Sequence, residues 1–141
     1  MPLLTITALT LIKYSLLYKQ DSAIRLETKN LSQEQEKIEP PLSCSTCNYP
    51  ITAEDQAVSR AASHHHTFFN PAGIVFEISC FQEASGCHIL GKPTAEFSWF
   101  PHYHWQYAAC SNCQAHLGWY FSAPAVQDIF FGLIANKVVK L

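Results

Sequence analysis

Two short cysteine pairs constrain the possible folds of this chain more than any other feature of its sequence. Cys44–Cys47 (CSTC) and Cys110–Cys113 (CSNC) are C-x-x-C elements with 62 residues between them. Four thiolates in two such turns suit tetrahedral Zn²⁺, because each turn presents two sulfurs to one ion. The spacing therefore predicts one zinc ion per chain that clips two distant turns together, with these ligands: Cys44, Cys47, Cys110 and Cys113.

All four predicted ligands are cysteines, which leaves no open coordination position, so the zinc is expected to be structural. Structural zinc adds folding free energy to a small domain whose core is limited. Disulfides remain the alternative, because six cysteines is an even number. Cys80, in the run 78–81, is expected to be a buried small hydrophobe, with a redox pair to Cys87 as the alternative.

The charged residues divide the chain into two parts. At 141 residues the chain has room for one domain. Nine of its 20 Asp, Glu, Lys and Arg residues fall between residues 19 and 39, whereas 16 of its 18 aromatic residues fall between 42 and 141. We therefore expect residues 1–41 to form an apolar segment and a charged linker that are poorly ordered, and residues 42–141 to form the domain.

The N-terminal apolar run and the overall charge limit the partners. The run from Met1 to Ile12 is too short for a transmembrane helix, which needs about 20 residues. It lacks the basic residues and the clear cleavage site of a secretory signal, so a cytoplasmic location is favoured over secretion. The net charge of −2 gives no basic surface for a phosphate backbone, and nucleic acid is not expected as a partner.

Short runs of β-branched and aromatic residues dominate residues 42–141 and are bounded by Pro, Gly, Asn or Ser. No helix-period segment of about ten residues accompanies them. The runs predict a mostly antiparallel, all-β domain with these strands: 67–69, 73–81, 105–108, 117–121 and 129–134.

Three consecutive histidines, His64, His65 and His66, suggest a second metal site at first sight. In an extended chain neighbouring side chains point to opposite faces, so one ion cannot easily be bound by all three. We expect them in a solvated loop. Three further histidines lie near the tryptophans and are expected to be packed and hydrogen-bonded: His102, His104 and His116.

The three tryptophans, Trp99, Trp105 and Trp119, fall within 21 positions. Each can bury about 150–250 Å², so a group of three forms either part of a core or the walls of a cage. Pro101 and the polar residues around it indicate a loop over 97–104 rather than a strand. A tryptophan-bearing loop that faces the strand of Trp119 favours a concave aromatic site.

Several motifs resemble, in their order along the chain, those of one known family. They are Asn70–Glu77 (NPAGIVFE), Ile89–Pro93 (ILGKP), Glu96–Pro101 (EFSWFP), Cys110–Cys113 and His116–Phe121 (HLGWYF). Over residues 42–141 the chain is similar to the CULT domain, the thalidomide-binding domain of the cereblon family, and most similar to its bacterial single-domain members. The likeness implies a β-tent fold of two antiparallel sheets pinned by a structural four-cysteine zinc site.

The resemblance also implies a ligand. In the family, three tryptophans enclose the ring of a cyclic imide such as glutarimide, and the matching residues here are Trp99, Trp105 and Trp119. Uracil-like rings such as uridine, and the cyclised Asn or Gln of a protein C-terminus, are compatible with it. The resemblance further implies that Phe121 forms the aromatic base of the pocket and that the backbone of Phe97 and Trp99 holds the imide. The neighbouring positions that it implies are Asn70, Pro71 and Glu96.

Two departures and two alternatives accompany this expectation of a non-catalytic binding module. Phe97 and Ala72 stand where cereblon has histidines, so affinity and ligand choice are expected to differ while recognition of the imide survives. The first alternative is an aromatic cage for methylated ammonium groups, with Glu96 as the counter-charge. The second is an enzyme like the methionine sulfoxide reductases that share the fold. It needs a low-pKa cysteine in the pocket, and neither Cys80 nor Cys87 lies in a motif that recommends it.

Overall fold

The computed structural model describes residues 38–141, so the apolar segment and most of the linker assigned to residues 1–41 lie outside the described residues. The described part consists of nine strands and two short 3-10 helices, and none of its helices is long and apolar enough to cross a bilayer. The strands are β1 (Leu42–Cys44), β2 (Pro50–Thr52), β3 (His65–Phe69), β4 (Val75–Phe81), β5 (Cys87–Thr94), β6 (His104–Cys110), β7 (His116–Ala123), β8 (Asp128–Ile134) and β9 (Val138–Lys140). The 3-10 helices are Glu54–Gln56 and Pro124–Val126.

The strands form two antiparallel sheets. The small sheet has the order β2-β1-β9, and the large sheet has the order β3-β4-β8-β7-β6-β5. Strands β5 to β8 are sequential neighbours, and the hairpin β3–β4 joins them because β4 pairs with β8. The prediction of an all-β domain with two antiparallel sheets is confirmed.

The five runs predicted as strands correspond to β3, β4, β6, β7 and β8, except that residues 73 and 74 of the run 73–81 precede β4. The sequence did not predict β5, which is an edge strand of the large sheet. Gly91 and Pro93 interrupt its apolar pattern, and its pairing with β6 shifts register between Leu90 and Thr94. An edge strand tolerates both residues because one side of its backbone needs no partner strand, so the usual strand signal is weak there.

The expectation of a solvated loop for the three consecutive histidines is wrong. Strand β3 begins at His65, and each ring makes a hydrogen bond. His64 Nδ1 donates to the carbonyl of Val58 at 3.0 Å, and His65 Nδ1 lies 2.8 Å from Ser79 Oγ. The His64 and His65 rings meet edge to face with centroids 4.4 Å apart, whereas the His66 ring stacks on Phe68 with centroids 5.3 Å apart, and each of the three rings has a different polar partner.

The buried apolar residues form two clusters, one near the cysteine pairs and one near the tryptophans. The first surrounds the cysteine pairs and includes Ile51, Phe81, Leu117 and Leu133. Trp99 and Trp105 pack against the second cluster, which contains Ile78, Cys80, Phe100, Trp119, Phe121, Phe130 and Ile134. Phe121 and Phe130 stack in this second cluster with ring centroids 4.9 Å apart. The cluster gives the aromatic site a rigid floor.

Candidate functional site

The two cysteine pairs sit in turns with the same backbone hydrogen bonds. In the first turn the Asn48 amide donates to the Cys44 carbonyl, and the Cys44 amide donates to the Tyr49 carbonyl, both at 2.8 Å. The second turn repeats this pattern from Cys110 to Gln114 and Ala115, with both bonds at 2.9 Å. Asn48 and Gln114 occupy equivalent positions and have positive φ angles of 63° and 67°. Each turn therefore presents its two sulfurs in the same way.

The four sulfur atoms meet at one point, all within 4.8 Å of one another. Cys44 Sγ lies 3.7 Å from Cys113 Sγ, and Cys47 Sγ lies 3.6 Å from Cys110 Sγ. A tetrahedral zinc ion with Zn–S bonds of about 2.3 Å separates its sulfurs by about 3.8 Å, close to these values. The separations are also far beyond a disulfide bond of about 2.0 Å, and none of the six cysteines, all within the described residues, forms a disulfide.

The thiols differ in their readiness to ionise. The side-chain hydrogen bond from Asn112 lowers the pKa of Cys47, which favours the thiolate that a metal requires. Burial raises the pKa of Cys80 to about 11 and that of Cys87 to about 12. Cys80 has no exposed surface and packs in the core, as predicted. Burial therefore favours the neutral thiol at both Cys80 and Cys87.

A cavity of about 450 Å³ opens between the β3–β4 turn, the faces of β6 and β7, and the loop that precedes β6. Its walls are almost entirely aromatic, and they bring together seven of the eight residues that the sequence placed at a ligand site. The lining residues are Asn70, Pro71, Phe76, Phe97, Trp99, Trp105, Tyr107, His116, Trp119 and Phe121. Glu96 is exposed and is not among them.

Residues 95–103, here called the tryptophan loop, contain two successive tight turns. The Ser98 amide donates to the Ala95 carbonyl at 3.2 Å, and the Tyr103 amide donates to the Phe100 carbonyl at 3.1 Å. The third residue of each turn has a positive φ angle, 54° at Phe97 and 73° at His102, as in a type II turn. A bulky residue such as Phe97 is strained in this region, and such strain is concentrated at functional sites. The predicted loop over 97–104 is confirmed up to residue 103.

Hydrogen bonds from two indoles fix the loop against the sheet. Trp99 Nε1 donates to the Phe69 carbonyl at the end of β3, at 3.1 Å. Trp105 Nε1 donates to the Glu96 carbonyl at 2.8 Å, so Glu96 contributes to the site through its backbone. These bonds use the polar edge of each indole and leave its face for an apolar contact.

The turn between β3 and β4 closes the opposite side of the cavity. Asn70 Oδ1 accepts the Ile74 amide at 2.9 Å, and the Asn70 carbonyl accepts the Gly73 amide at 2.8 Å. This pair of bonds holds the short Asn70–Ile74 segment in one shape, with Pro71 at its second position. The turn therefore presents Asn70 and Pro71 to the cavity from a rigid support.

Three lining residues were missed at the sequence level: Phe76, Tyr107 and His116. Tyr107 could have been found, because it lies two positions after Trp105 on the same face of β6. The Phe76 ring meets Trp119 edge to face, with centroids 5.0 Å apart. Phe76 and His116 carry no such signal, since strand pairing brings them to the cavity.

Of the three histidines expected to be packed and hydrogen-bonded, His116 is so, whereas the expectation is wrong for His102, which is exposed. His116 Nε2 donates to the Gly118 carbonyl at 2.9 Å, and the His116 ring packs against Trp119 with centroids 4.9 Å apart. Desolvation in this aromatic setting lowers the pKa of His116. The lowered pKa favours the neutral ring, in which Nδ1 is an acceptor because Nε2 donates to Gly118.

No protein-family model matches the chain. It is 30% identical over 114 residues to cereblon of Danio rerio, which covers 73% of this chain and 26% of that protein. It is 33% identical to cereblon of Gallus gallus over 58% of this chain and 19% of the relative, and 36% identical to cereblon of Drosophila grimshawi over 50% and 11%. The chain thus spans about a quarter or less of these relatives. It carries a cereblon-like domain of the CULT type.

Proposed function

We propose that this chain is a non-catalytic module that binds small cyclic imides between Trp99, Trp105 and Trp119. The observation that carries the proposal is the aromatic cavity, in which hydrogen bonds fix two of the three indoles before any ligand arrives. A planar ring of about 8 non-hydrogen atoms fits within it and buries its faces against the indoles. Because the walls are already ordered, little conformational entropy is lost on binding.

The tryptophan loop supplies polar groups that match an imide. Among the described residues, the backbone amides and carbonyls of Phe97 and Trp99 form no hydrogen bond to the protein. An imide carries one N–H donor between two carbonyl acceptors, so one backbone carbonyl and one or two amides of the loop satisfy it. A hydrocarbon of the same shape would leave those backbone groups unpaired when it excludes water, which selects for the imide.

Zn²⁺ is proposed as the structural ion of the four-cysteine site. The matching turns and the sulfur separations support this assignment. Cys44 ends β1 of the small sheet and Cys110 ends β6 of the large sheet, so the ion would tie the two sheets together. Since all four ligands are cysteines, the ion would have no position for a substrate.

The cavity favours a neutral ligand over a methylated ammonium group. No carboxylate is among the described residues that line it, and Glu96, the expected counter-charge, contributes its backbone carbonyl to Trp105 instead. A sulfoxide-reductase-like activity lacks support as well. Neither Cys80 nor Cys87 lines the cavity, and burial raises the pKa of both thiols.

The strength of binding can be bounded. At roughly 1 kcal/mol for each non-hydrogen atom of a small enclosed ligand, glutarimide reaches a Kd of about 1 μM. This range suits reversible recognition of a free imide or uracil-like ring, or of the cyclised Asn or Gln at a protein C-terminus.

Titration of tryptophan fluorescence tests the proposal. Glutarimide is expected to quench the emission with saturation, whereas tetramethylammonium leaves it unchanged. N-methylglutarimide is the matched control, because it keeps the ring and both carbonyls but lacks the N–H donor, and it should bind at least about tenfold more weakly. Equal affinity for the two imides would contradict backbone recognition, and binding of tetramethylammonium alone would favour the cation cage. Uridine and peptides ending in a cyclised Asn or Gln then rank the natural ligand classes.

A further inference from the structure

A carboxylate outside the cavity ties the tryptophan loop to the large sheet. Asp128, the first residue of β8, accepts hydrogen bonds from Arg60 Nε and Nη2, both at 2.8 Å, and from the Tyr103 hydroxyl at 2.5 Å. Both ion-pair side chains are mostly buried, with 20% of Arg60 and 27% of Asp128 exposed. A bidentate, partly buried pair of this kind has a defined geometry, unlike a solvated surface ion pair.

Arg60 is itself fixed by its surroundings. Arg60 Nη2 also donates to Gln82 Oε1 at 3.2 Å, and the guanidinium lies over the Phe130 ring at 5.2 Å from its centroid. Both interactions orient the plane of the guanidinium towards Asp128.

The turn that carries Arg60 is strained and braced. Its central residues, Ala61 and Ala62, have positive φ angles of 47° and 65°, which L-residues other than glycine adopt at a cost. His66 Nε2 braces this turn by donating to the carbonyls of Arg60, at 2.8 Å, and Ser63, at 3.0 Å. Strained turns persist only where the surrounding structure over-determines them. The turn is held in the shape that directs Arg60 to Asp128.

Tyr103 connects this anchor to the ligand cavity. It is the last residue of the tryptophan loop, two positions before Trp105, and its ring packs edge to face on Phe130 with centroids 5.3 Å apart. The ring also contacts Phe100, the buried residue of the loop itself. The hydroxyl bond to Asp128 therefore fixes the end of the loop, while the Trp99 bond to Phe69 fixes its middle.

We propose that Asp128, clamped by Arg60, is a positioning residue that holds the tryptophan loop in its ligand-ready form through Tyr103. A loop released from this anchor samples other conformations. The apparent ligand affinity then falls in proportion to the fraction of molecules that keep the ligand-ready conformation. The electrostatics agree with these roles. The hydrogen bond from Arg60 lowers the pKa of Asp128, and burial followed by the bond to Asp128 raises the pKa of Tyr103, so the carboxylate accepts and the phenol donates. The effect on affinity rests on the proposed function, but the effect on the loop does not.

Amide hydrogen exchange of the ligand-free, zinc-loaded chain tests the loop directly. Asp128→Asn is expected to speed exchange at the Ser98 and Tyr103 amides by about threefold to tenfold, while amides of β7 are unchanged. Tyr103→Phe keeps the ring packing and removes the hydroxyl, so it should have a similar effect. Because Asp128 acts through Tyr103, adding Asp128→Asn to Tyr103→Phe should change the loop little further.

The matched charge control is Glu54→Gln, which removes the exposed ion pair with Lys140 at 3.2 Å and should leave the loop unchanged.

In the glutarimide titration, Asp128→Asn and Tyr103→Phe should each weaken binding by about threefold to tenfold with the same saturating signal. Unchanged loop exchange in both variants would overturn the proposal. It would also be overturned if Asp128→Asn speeds loop exchange in the Tyr103→Phe background as much as it does in the wild type. If Asp128→Asn does not fold, the Tyr103→Phe result decides alone. If the wild-type chain binds no imide, the proposed function fails while the exchange result still decides the positioning role.

Discussion

The indoles of Trp99 and Trp119 meet edge to face, with ring centroids 4.6 Å apart and an angle of 74° between their planes. Trp99 is half-buried and stacks on Phe68 of β3, with centroids 5.1 Å apart, whereas Trp119 is only 8% exposed and belongs to the core. The same pair therefore joins a wall made by a loop to a floor made by the sheet. This arrangement predicts that the two tryptophans contribute differently to binding and to stability.

Trp99→Ala is expected to abolish measurable glutarimide binding but to lower the free energy of unfolding only modestly. Trp119→Ala removes a core side chain as well, and should lower it by about 3–5 kcal/mol. Urea unfolding followed by far-UV circular dichroism, together with the fluorescence titration, separates the two effects.

The exposed Val126 lies outside the cavity, so Val126→Ala provides a control that should change neither quantity. Wild-type affinity in Trp99→Ala would show that the cavity is not the binding site. Equal destabilisation by the two tryptophan variants would contradict the division between wall and floor.

Gly118→Ala is expected to destabilise the domain by more than about 3 kcal/mol, beyond the usual range for an overpacked core. Gly118 has a φ of 155°, and a β-carbon there would lie 2.1 Å from the Gly132 carbonyl oxygen. Neither backbone can move without disturbing the β7–β8 pairing that supports Trp119. Thermal and urea unfolding measure the loss.

Gly91 provides the matched control for this prediction. It has a φ of 84°, but no atom lies within 4 Å of an added β-carbon. Gly91→Ala should therefore cost only the backbone strain, about 1–2 kcal/mol. Similar losses at both positions would show that strain rather than steric contact dominates at Gly118.

Much of this architecture follows from local sequence signals. The spacing of Cys44–Cys47 and Cys110–Cys113 predicted a single four-sulfur cluster, since the chemistry of one ion requires it. Pro101 predicted a loop rather than a strand over 97–104, and it occupies the second position of the turn that the Tyr103 amide closes with the Phe100 carbonyl. Aromatic and β-branched runs between turn residues predicted five of the strands, namely β3, β4, β6, β7 and β8.

What escaped prediction depends on contacts between distant parts of the chain. Arg60 and Asp128 are 68 positions apart, and nothing in either local sequence indicates that β4 and β8 pair beside them. His66 looked like part of a solvated loop because its partners, the carbonyls of a strained turn, are visible only in three dimensions. His116 reaches the cavity through the pairing of β6 with β7. Pairing and register, not residue type, decide these positions.

Removal of zinc is expected to unfold most of the domain. The apparent binding free energy of structural zinc is on the order of 10 kcal/mol, comparable to the whole stability of a typical domain. A chelator under reducing conditions should therefore abolish the cooperative thermal transition, and added Zn²⁺ should restore it. Circular dichroism with metal analysis checks both, with one zinc per chain expected in the intact protein.

Single cysteine variants identify the ligands. Cys110→Ser should lose both the zinc ion and the folded structure. Cys80→Ala, at a cysteine outside the sulfur cluster, should retain one zinc per chain. A metal-free, reduced chain with an unchanged Tm would contradict the structural role. Oxidised thiols with no stoichiometric zinc would favour disulfides instead.

The ion pair between Arg60 and Asp128 predicts a specific acid limb in the stability profile. Because Arg60 lowers the pKa of Asp128, its stabilising effect is fully present above the unfolded pKa of about 3.9 and is lost as the pH falls through the lower folded value. Asp128→Asn should therefore reduce the free energy of unfolding by about 2 kcal/mol at pH 7, and the difference from wild type should shrink below about pH 4. Urea unfolding of both proteins at each pH gives this difference, in which the acid sensitivity of the zinc site cancels. A difference that stays constant down to pH 2 would mean that the Asp128 carboxylate gains nothing from Arg60 on folding.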